Sequence, residues 1–390
     1  MQLTGIQRDQ VRAFLAKIQS KEDLLYLLNA IKPLIDNLEK DQEFQPIKLN
    51  TLTFFSDHRL SRDGRYLHFS IKKKSGGERL LSAPVYPLKV IQQCIASVLS
   101  AAYEPKAYVT GFTSERSIVD NAAPHIGKRF IFNIDIKDFF PSIQLHRVKA
   151  VLKLEPFNLT DEREPLAFLI ARLCCLTSAD GAGALPQGAP TSPILSNIIC
   201  QQLDRRLNGL AKRFGAVYTR YADDISFSAD ANIFHGTFEK EMRRIITGQH
   251  FTINEAKVRL QGRGYRQEVT GLSVNERVNV SKRYIRTVRA MLHNWQKLEY
   301  VQAEAIFQQH YHRDKGHVKQ DKPILRNVLQ GKLNYLKMVR GETDEVYMRY
   351  KRQYDHLDGR SPLNSLAKLE KLLSLWEAGG IDAAISNEKK

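Results

Sequence analysis

Three carboxylates sit where chemistry is possible. Asp135 closes the apolar run RFIFNID, and Asp223 and Asp224 are adjacent within VYTRYADDISFSA, which alternates on both sides of the pair. An alternating run reads as a β-strand, so Phe130, Phe132 and Ile134 share one face while Asn133 and Asp135 point to the other. The second segment reads as a hairpin with both acids at its tip. If the two elements meet, the acids can hold two divalent ions about 4 Å apart, the arrangement nucleotidyl transfer needs. One ion lowers the pKa of the attacking hydroxyl, and both stabilise charge at the in-line phosphorus. Hard oxygen ligands completed by substrate phosphates favour Mg²⁺. An Asp-Asp pair in a turn is commonplace on its own, so the rest of the chain must carry the reading.

Other elements are placed to serve such a site. From Tyr66 to Leu81 two short strands flank a Lys, Ser and Gly turn, a hairpin with Lys72 and Arg79 near its end. Cations on a flexible hairpin suit an anionic ligand that enters and is then clamped, with Lys73 and Lys74 as alternatives to Lys72. GAGALPQGAP is a Gly and Pro loop feeding a helix expected over Ile194 to Leu207, and Gly188 in it permits close backbone approach. Pro141 and Ser142 suit a helix entry. Residues 6 to 40 carry Val11, Leu15, Ile18, Leu24, Leu27, Leu28 and Ile31 at helical spacing, with Ser20 a cap between two helices. A long apolar helix is expected over Leu88 to Ala102. Beyond about residue 281 only helical patterns remain, and Ser281, Lys282, Arg283, Tyr284, Arg286 and Arg289 interleave cations with an aromatic.

The chain has 390 residues, 43% of them hydrophobic, enough for a large core shared by subdomains. Lys and Arg number 59 against 42 Asp and Glu, a formal charge of +17. Such an excess repels itself unless a polyanion neutralises it, which points to nucleic acid. Cys94, Cys174, Cys175 and Cys200 lie in apolar runs without C-x-x-C spacing, and read as small hydrophobes in a reducing compartment. His310, His312 and His317 read as a solvated polar loop, not a zinc site. No leader or spanning segment is evident, so the expected place is the cytoplasm, away from membranes.

Five segments fall in a telling order: NIDIKDFFPSI, LPQGAPTSPILSN, RYADDISFSA, INEAKVRL and TGLSVN. In order and approximate spacing they resemble the successive palm motifs of reverse transcriptases, a resemblance running from about residue 50 to 340. It implies an α+β right-hand polymerase fold, with fingers, a palm of antiparallel sheet backed by helices, and a helical thumb. The expected division is 1–48 for an N-terminal helical extension, 49–280 for fingers and palm, 281–376 for the thumb and 377–390 for a polar tail. Asp135, Asp223 and Asp224 match the metal-binding aspartates, with the Ile136 carbonyl as a further ligand for two Mg²⁺ ions. Phe140 matches the bulky residue that crowds a ribose 2'-hydroxyl and favours dNTPs. Gln187 and Gly188 match nucleotide-pocket positions, Lys72 and Arg79 the fingers cations that hold the triphosphate. Lys257 matches the lysine that protonates the departing pyrophosphate, or offsets its charge without proton transfer.

Two short motifs narrow the resemblance. NAAPH, with Asn121 and His125, resembles the N-A-x-x-H signature of retron reverse transcriptases, and Val269, Thr270 and Gly271 resemble their V-T-G triplet. The resemblance implies that these segments, with Lys282, Arg283 and Arg286 of the thumb, help recognise a cognate structured noncoding RNA of the msr-msd type. It further implies priming from an internal guanosine 2'-hydroxyl, a branched msDNA product, and a role in anti-phage defence beside an accessory effector protein. On residues alone, the alternative is that Asn121 and His125 cap or brace a loop. The rival readings are a group II intron-like or diversity-generating enzyme, an RNA-dependent RNA polymerase, and a nonenzymatic RNA-binding scaffold with a polymerase fold.

Overall fold

The computed structural model describes residues 3–36, 44–72, 76–177, 182–315 and 323–359. Lys73, Lys74, His317, the end of the expected thumb and the expected polar tail lie outside them. The chain divides into two compact units, Met1–Thr270 and Gly271–Lys390, so the division falls inside the V-T-G triplet instead of after residue 280.

The N-terminal helices lie within the first unit. The helices Gly5–Leu15 and Lys21–Asp36 form where expected, and Ser20 caps the second: the Asp23 amide donates to its hydroxyl at 3.1 Å while the Ser20 amide donates to the Asp23 carboxylate at 3.0 Å. Their apolar stripe, Val11 through Ile31, is buried in one core with Leu88, Ile91, Ile95 and Leu99 of the helix Tyr86–Ala102. Burial of that stripe outweighs the weak independence of two short helices.

Strand β1 (Tyr66–Lys72) pairs antiparallel with β2 (Glu78–Pro84) to form the expected hairpin. Strand β3 (Phe130–Asp135) joins a four-stranded sheet, while β4 (Leu176–Thr177) and β5 (Gly183–Ala184) make a short ladder. With β6 (Val217–Tyr221), β7 (Asp224–Ala229) and β8 (Arg259–Gly262) the sheet runs β6-β7-β3-β8, each neighbour antiparallel. Its register separates the faces cleanly. Phe132 opposes Phe227 and Ile134 opposes Ile225 on the core face. Phe234 stacks on Phe132 at 5.4 Å and Phe238, on the helix Thr237–Thr247, meets Phe227 edge-on at 5.2 Å. The other face carries Asn133, Asp135, Asp224, Ser226 and Ser228.

Two local expectations shift. The helix expected at Pro141 begins at Leu145, because Asp138 takes a left-handed φ of 47° and the Ser142 amide closes a turn onto its carbonyl at 2.9 Å. The helix expected over 194 to 207 is two, Ser192–Ile199 and Gln201–Arg213, interrupted at buried Cys200 with ψ of −1°. In the second unit the described residues are mainly helical: Lys282–Lys297, Tyr300–Lys315, Leu325–Arg340 and Glu345–Leu357. No described helix is long and apolar enough to cross a membrane.

Candidate active site

The sheet register brings the acids together. Asp135, the last residue of β3, is the direct cross-strand partner of Asp224, the first of β7. Tyr221 pairs with Asp224, which leaves Ala222 and Asp223 as the two-residue tip of the β6–β7 hairpin. Such a tip demands positive φ, and Ala222 adopts 58° at the steric cost a non-glycine residue bears there.

Its surroundings hold it in that state. Arg220 is fully buried and its Nη1 donates to the Ala222 carbonyl at 3.0 Å. The same guanidinium grips Asp204 through Nε at 2.6 Å and Nη2 at 2.7 Å, and Nη2 also donates to Asn197 Oδ1 at 3.2 Å. Tyr218 adds a bond from its hydroxyl to Asp204 at 2.6 Å. A Cβ at Gly111 would stand 2.3 Å from the Ala222 amide nitrogen, so only glycine fits. Asn197 Nδ2 fixes the Gly111 carbonyl at 2.9 Å.

Asp135 is 5% exposed and each of its oxygens accepts one bond: Asn254 Nδ2 donates to Oδ1 at 3.0 Å and the Lys257 ammonium to Oδ2 at 2.7 Å. Lys257 is therefore paired with the acid cluster. Burial and the neighbouring Asp135 charge raise the Asp223 pKa, an effect that Lys257 and Arg79 oppose. Burial, then repulsion from Asp223 and Asp135, pushes Asp224 up to about 6 even though its side chain keeps contact with solvent. Three carboxylates beside the single Lys257 ammonium leave negative charge in excess, an arrangement that a divalent ion would relieve.

Among the described residues no group of three or more His, Cys, Asp or Glu side chains encloses an ion by itself. An open, all-oxygen donor set still fits Mg²⁺, which keeps water and takes substrate phosphates beside one or two carboxylates. The Ile136 amide donates to the Asp223 carbonyl at 3.1 Å.

The expected nucleotide-side residues divide. Phe140 is half-buried, its ring 5.4 Å from that of Phe139 and 5.8 Å from that of Phe112. The Gln187 carbonyl accepts from the Ser82 amide at 2.8 Å, joining the loop to β2. Gly188, at φ of 124°, approaches backbone closely as expected, but the neighbour is the Ser82 carbonyl, 2.9 Å from where a Cβ would stand. On the hairpin, Lys72 opposes Glu78 and Arg79 opposes Ile71, so the register puts the two cations on opposite faces. Arg79 is the one whose charge stabilises ionised Asp223.

Residues 71–275 match the family model for reverse transcriptase (RNA-dependent DNA polymerase). The Ec86 retron reverse transcriptase of Escherichia coli is 31% identical over 271 residues, 69% of this chain and 81% of that protein. The chain belongs to the retron reverse transcriptases. It therefore has the family's right-hand α+β polymerase fold. Retron Mx65 reverse transcriptase of Myxococcus xanthus is 36% identical over 66% of this chain, and Mx162 of the same organism 32% identical over 67%. The chain spans 62% and 59% of the lengths of those two relatives. A solved Candida albicans telomerase with a fragment of telomeric RNA aligns over 85% of this chain and 67% of that chain, with 11% identity and a TM-score of 0.39, too distant to bear on function.

Both retron motifs carry buried residues. Asn121 and His125 are both 0% exposed, so their side chains offer no accessible surface to a ligand. His125 binds Ser228 Oγ at 2.6 Å through Nδ1 and Thr219 Oγ1 at 2.8 Å through Nε2, while Thr110 Oγ1 donates to Asn121 Oδ1 at 2.7 Å. The motif fastens the segment Ser117–His125 over the polar face of the sheet, the bracing role open to it on residues alone. Burial lowers the His125 pKa to about 3, so its imidazole is neutral. Val269 is likewise buried, and Thr270 and Gly271 form a turn with φ of 48° and 80°. Only Lys282, Arg283 and Arg286 of the expected RNA-recognition residues present exposed charge, opposite the buried stripe Val288, Leu292 and Trp295.

Sequence reasoning missed Arg220, Asp204, Asn197, Gly111 and Asn254. The signal for Arg220 was present. It shares the period-two face of Tyr218 in β6, and a charge on a core face requires a buried partner.

Proposed function

We propose that this retron-family chain is an RNA-directed DNA polymerase that extends a primer with dNTPs along an RNA template. The observation that carries the reading is the cross-strand pairing of Asp135 with Asp224, Asp223 beside them at a rigidly supported tip. These acids and the Ile136 carbonyl would hold two Mg²⁺ ions, which when bound supply activation of the primer hydroxyl and neutralisation of phosphate charge. Arg79 draws the triphosphate toward the acids, and Lys72 joins it from the other face of the hairpin. Phe140 excludes a ribose 2'-hydroxyl. Gln187 and Gly188 form the pocket wall that is bonded to β2. Lys257, paired with Asp135 at 2.7 Å, offsets the charge of the departing pyrophosphate.

For the template and primer we favour a structured noncoding RNA of the msr-msd type, primed from an internal guanosine 2'-hydroxyl to give branched msDNA. The retron relatives and the NAAPH and V-T-G segments support this. The exposed Lys282, Arg283, Arg286 and Arg289 supply phosphate contacts for duplex RNA, whose shape is read largely through backbone and 2'-hydroxyls. The setting in anti-phage defence, in the cytoplasm with an accessory effector protein, is part of the same proposal.

The test is extension of an RNA-templated primer with dNTPs and Mg²⁺ by the wild type and by Asp223→Ala plus Asp224→Ala. Synthesis by the wild type alone is expected; equal synthesis by both would leave an RNA-binding scaffold. A preference for NTPs insensitive to Phe140→Ala would indicate an RNA polymerase. Nucleic acid purified with the chain should shift in mobility after debranching enzyme. Linear DNA would point to an intron-like or diversity-generating relative.

A further inference from the structure

Phe112 lies outside every motif named so far, yet its backbone is strained and its ring is placed with care. Its φ is 59°, in the left-handed region where bulky residues are rare. Its side chain is 41% exposed, so burial of the ring does not account for the strain. The backbone is held there from both sides. Gly111 is wedged against the Ala222 amide and its carbonyl is bonded to Asn197, while the Thr110 amide donates to the Arg220 carbonyl at 2.9 Å. Downstream, the Arg116 guanidinium donates to the carbonyls of Lys106 at 2.6 Å and Val109 at 2.7 Å.

The result is a ring 5.8 Å from Phe140, inclined at 32°. Phe140 is bounded on another side by Phe139, which is 4% exposed and packs on Phe251 at 5.8 Å. Phe139 is thus anchored in the core, whereas Phe112 is the more solvent-facing neighbour. Removing Phe112 would leave the Phe140 side chain room to leave its rotamer.

We propose that Phe112 is a positioning residue for sugar selection: its ring props Phe140 against the space a ribose 2'-hydroxyl would occupy, and Thr110–Gly111 ties that prop to the metal-binding turn. The inference rests on the reading of Phe140 as the sugar gate. It adds that the gate's rigidity is supplied from a segment bonded to the same hairpin that carries Asp223 and Asp224. Nucleotide choice and acid placement are thereby set by one support.

The experiment compares kcat/KM for a dNTP with that for the matching rNTP, on an RNA-templated primer with Mg²⁺, so that a general loss of activity cancels in the ratio. Phe140→Ala should lower dNTP preference by about tenfold or more, the scale of pocket-shape discrimination. Phe112→Ala and Phe112→Gly should each lower it by about fivefold, roughly 1 kcal/mol, and Phe112→Tyr should restore it. The double variant Phe112→Ala, Phe140→Ala should be no less selective than Phe140→Ala. Glycine relieves the φ strain whereas alanine does not, so loss in both assigns the effect to the ring; loss in alanine alone would overturn the prop. A wild-type ratio in both Phe112 variants, with Phe140→Ala relaxed, would also overturn it. An unchanged ratio in Phe140→Ala would instead remove the gate reading, and the prop with it.

Discussion

The polar face of the central sheet has two ends, and they are built in opposite ways. At one end Asp135, Asp223 and Asp224 are crowded together, with Asp224 open to solvent and pushed up to about 6. At the other, Ser228 and Thr219 are sealed under His125, which is held neutral with its pKa lowered to about 3. One end keeps charge that only a cation can relieve, and the other excludes charge altogether. Motif status does not distinguish them, since both ends carry family signatures. Burial does.

The largest effect expected at the open end is on catalysis. Asp224→Asn should reduce primer extension by at least about a thousandfold, while RNA binding and the unfolding transition persist, because loss of a charge proposed to hold a metal ion acts on the transition state. Retained extension would mean that the open end is no more functional than the sealed one.

Next in size is the support beneath the tip. Arg220→Met strands Asp204 in the core and should cost about 3 kcal/mol or more of stability, seen as a fall in denaturant midpoint. Pairing it with Asp204→Leu should recover part of that stability but not the extension rate, since the bond to the Ala222 carbonyl stays lost. Full recovery of both would reduce the Arg220 network to packing.

At the sealed end, His125→Ala leaves two hydroxyls without their partner and a cavity, and should cost about 2 kcal/mol. RNA affinity per folded molecule should stay at the wild-type value; a selective loss of affinity without loss of stability would make His125 a contact residue instead of a brace.

The smallest effects separate the two ends by pH. His125 has a folded pKa below its ordinary 6.5, so the unfolded chain binds more protons and stability falls as pH drops from 6.5 toward about 3. Asp224 has a folded pKa above its ordinary 3.8, so its contribution has the opposite sign and stability falls as pH rises from 3.8 through about 6. Solvent screening at exposed Asp224 limits this second contribution to about 1 kcal/mol. Thermal unfolding of His125→Gln should therefore lose acid sensitivity below pH 6.5, while Asp224→Asn should gain stability near neutral pH without Mg²⁺. Added Mg²⁺ should stabilise the wild type more at pH above about 6 than below it.

Much of this was legible in order and period. RFIFNID shows its two faces by alternation, and the hairpin tip follows from a β-run either side of the acids; both signals are local, within a few residues. The contacts that decided the rest are not local. His125 meets Ser228 across 103 positions and Asp135 meets Lys257 across 122, and alternation says nothing of what packs over a polar face. The opposed faces of Lys72 and Arg79 depended on the hairpin register.

The amino-acid sequence by itself determined which residues are acids, which strand faces they occupy and in what order the elements follow, because strand periodicity is a property of covalent geometry. Tertiary structure alone decided which polar groups keep water. It buried Asn121 and His125, paired Arg220 with Asp204 and left Asp224 open, because solvent access depends on which distant segment covers a surface.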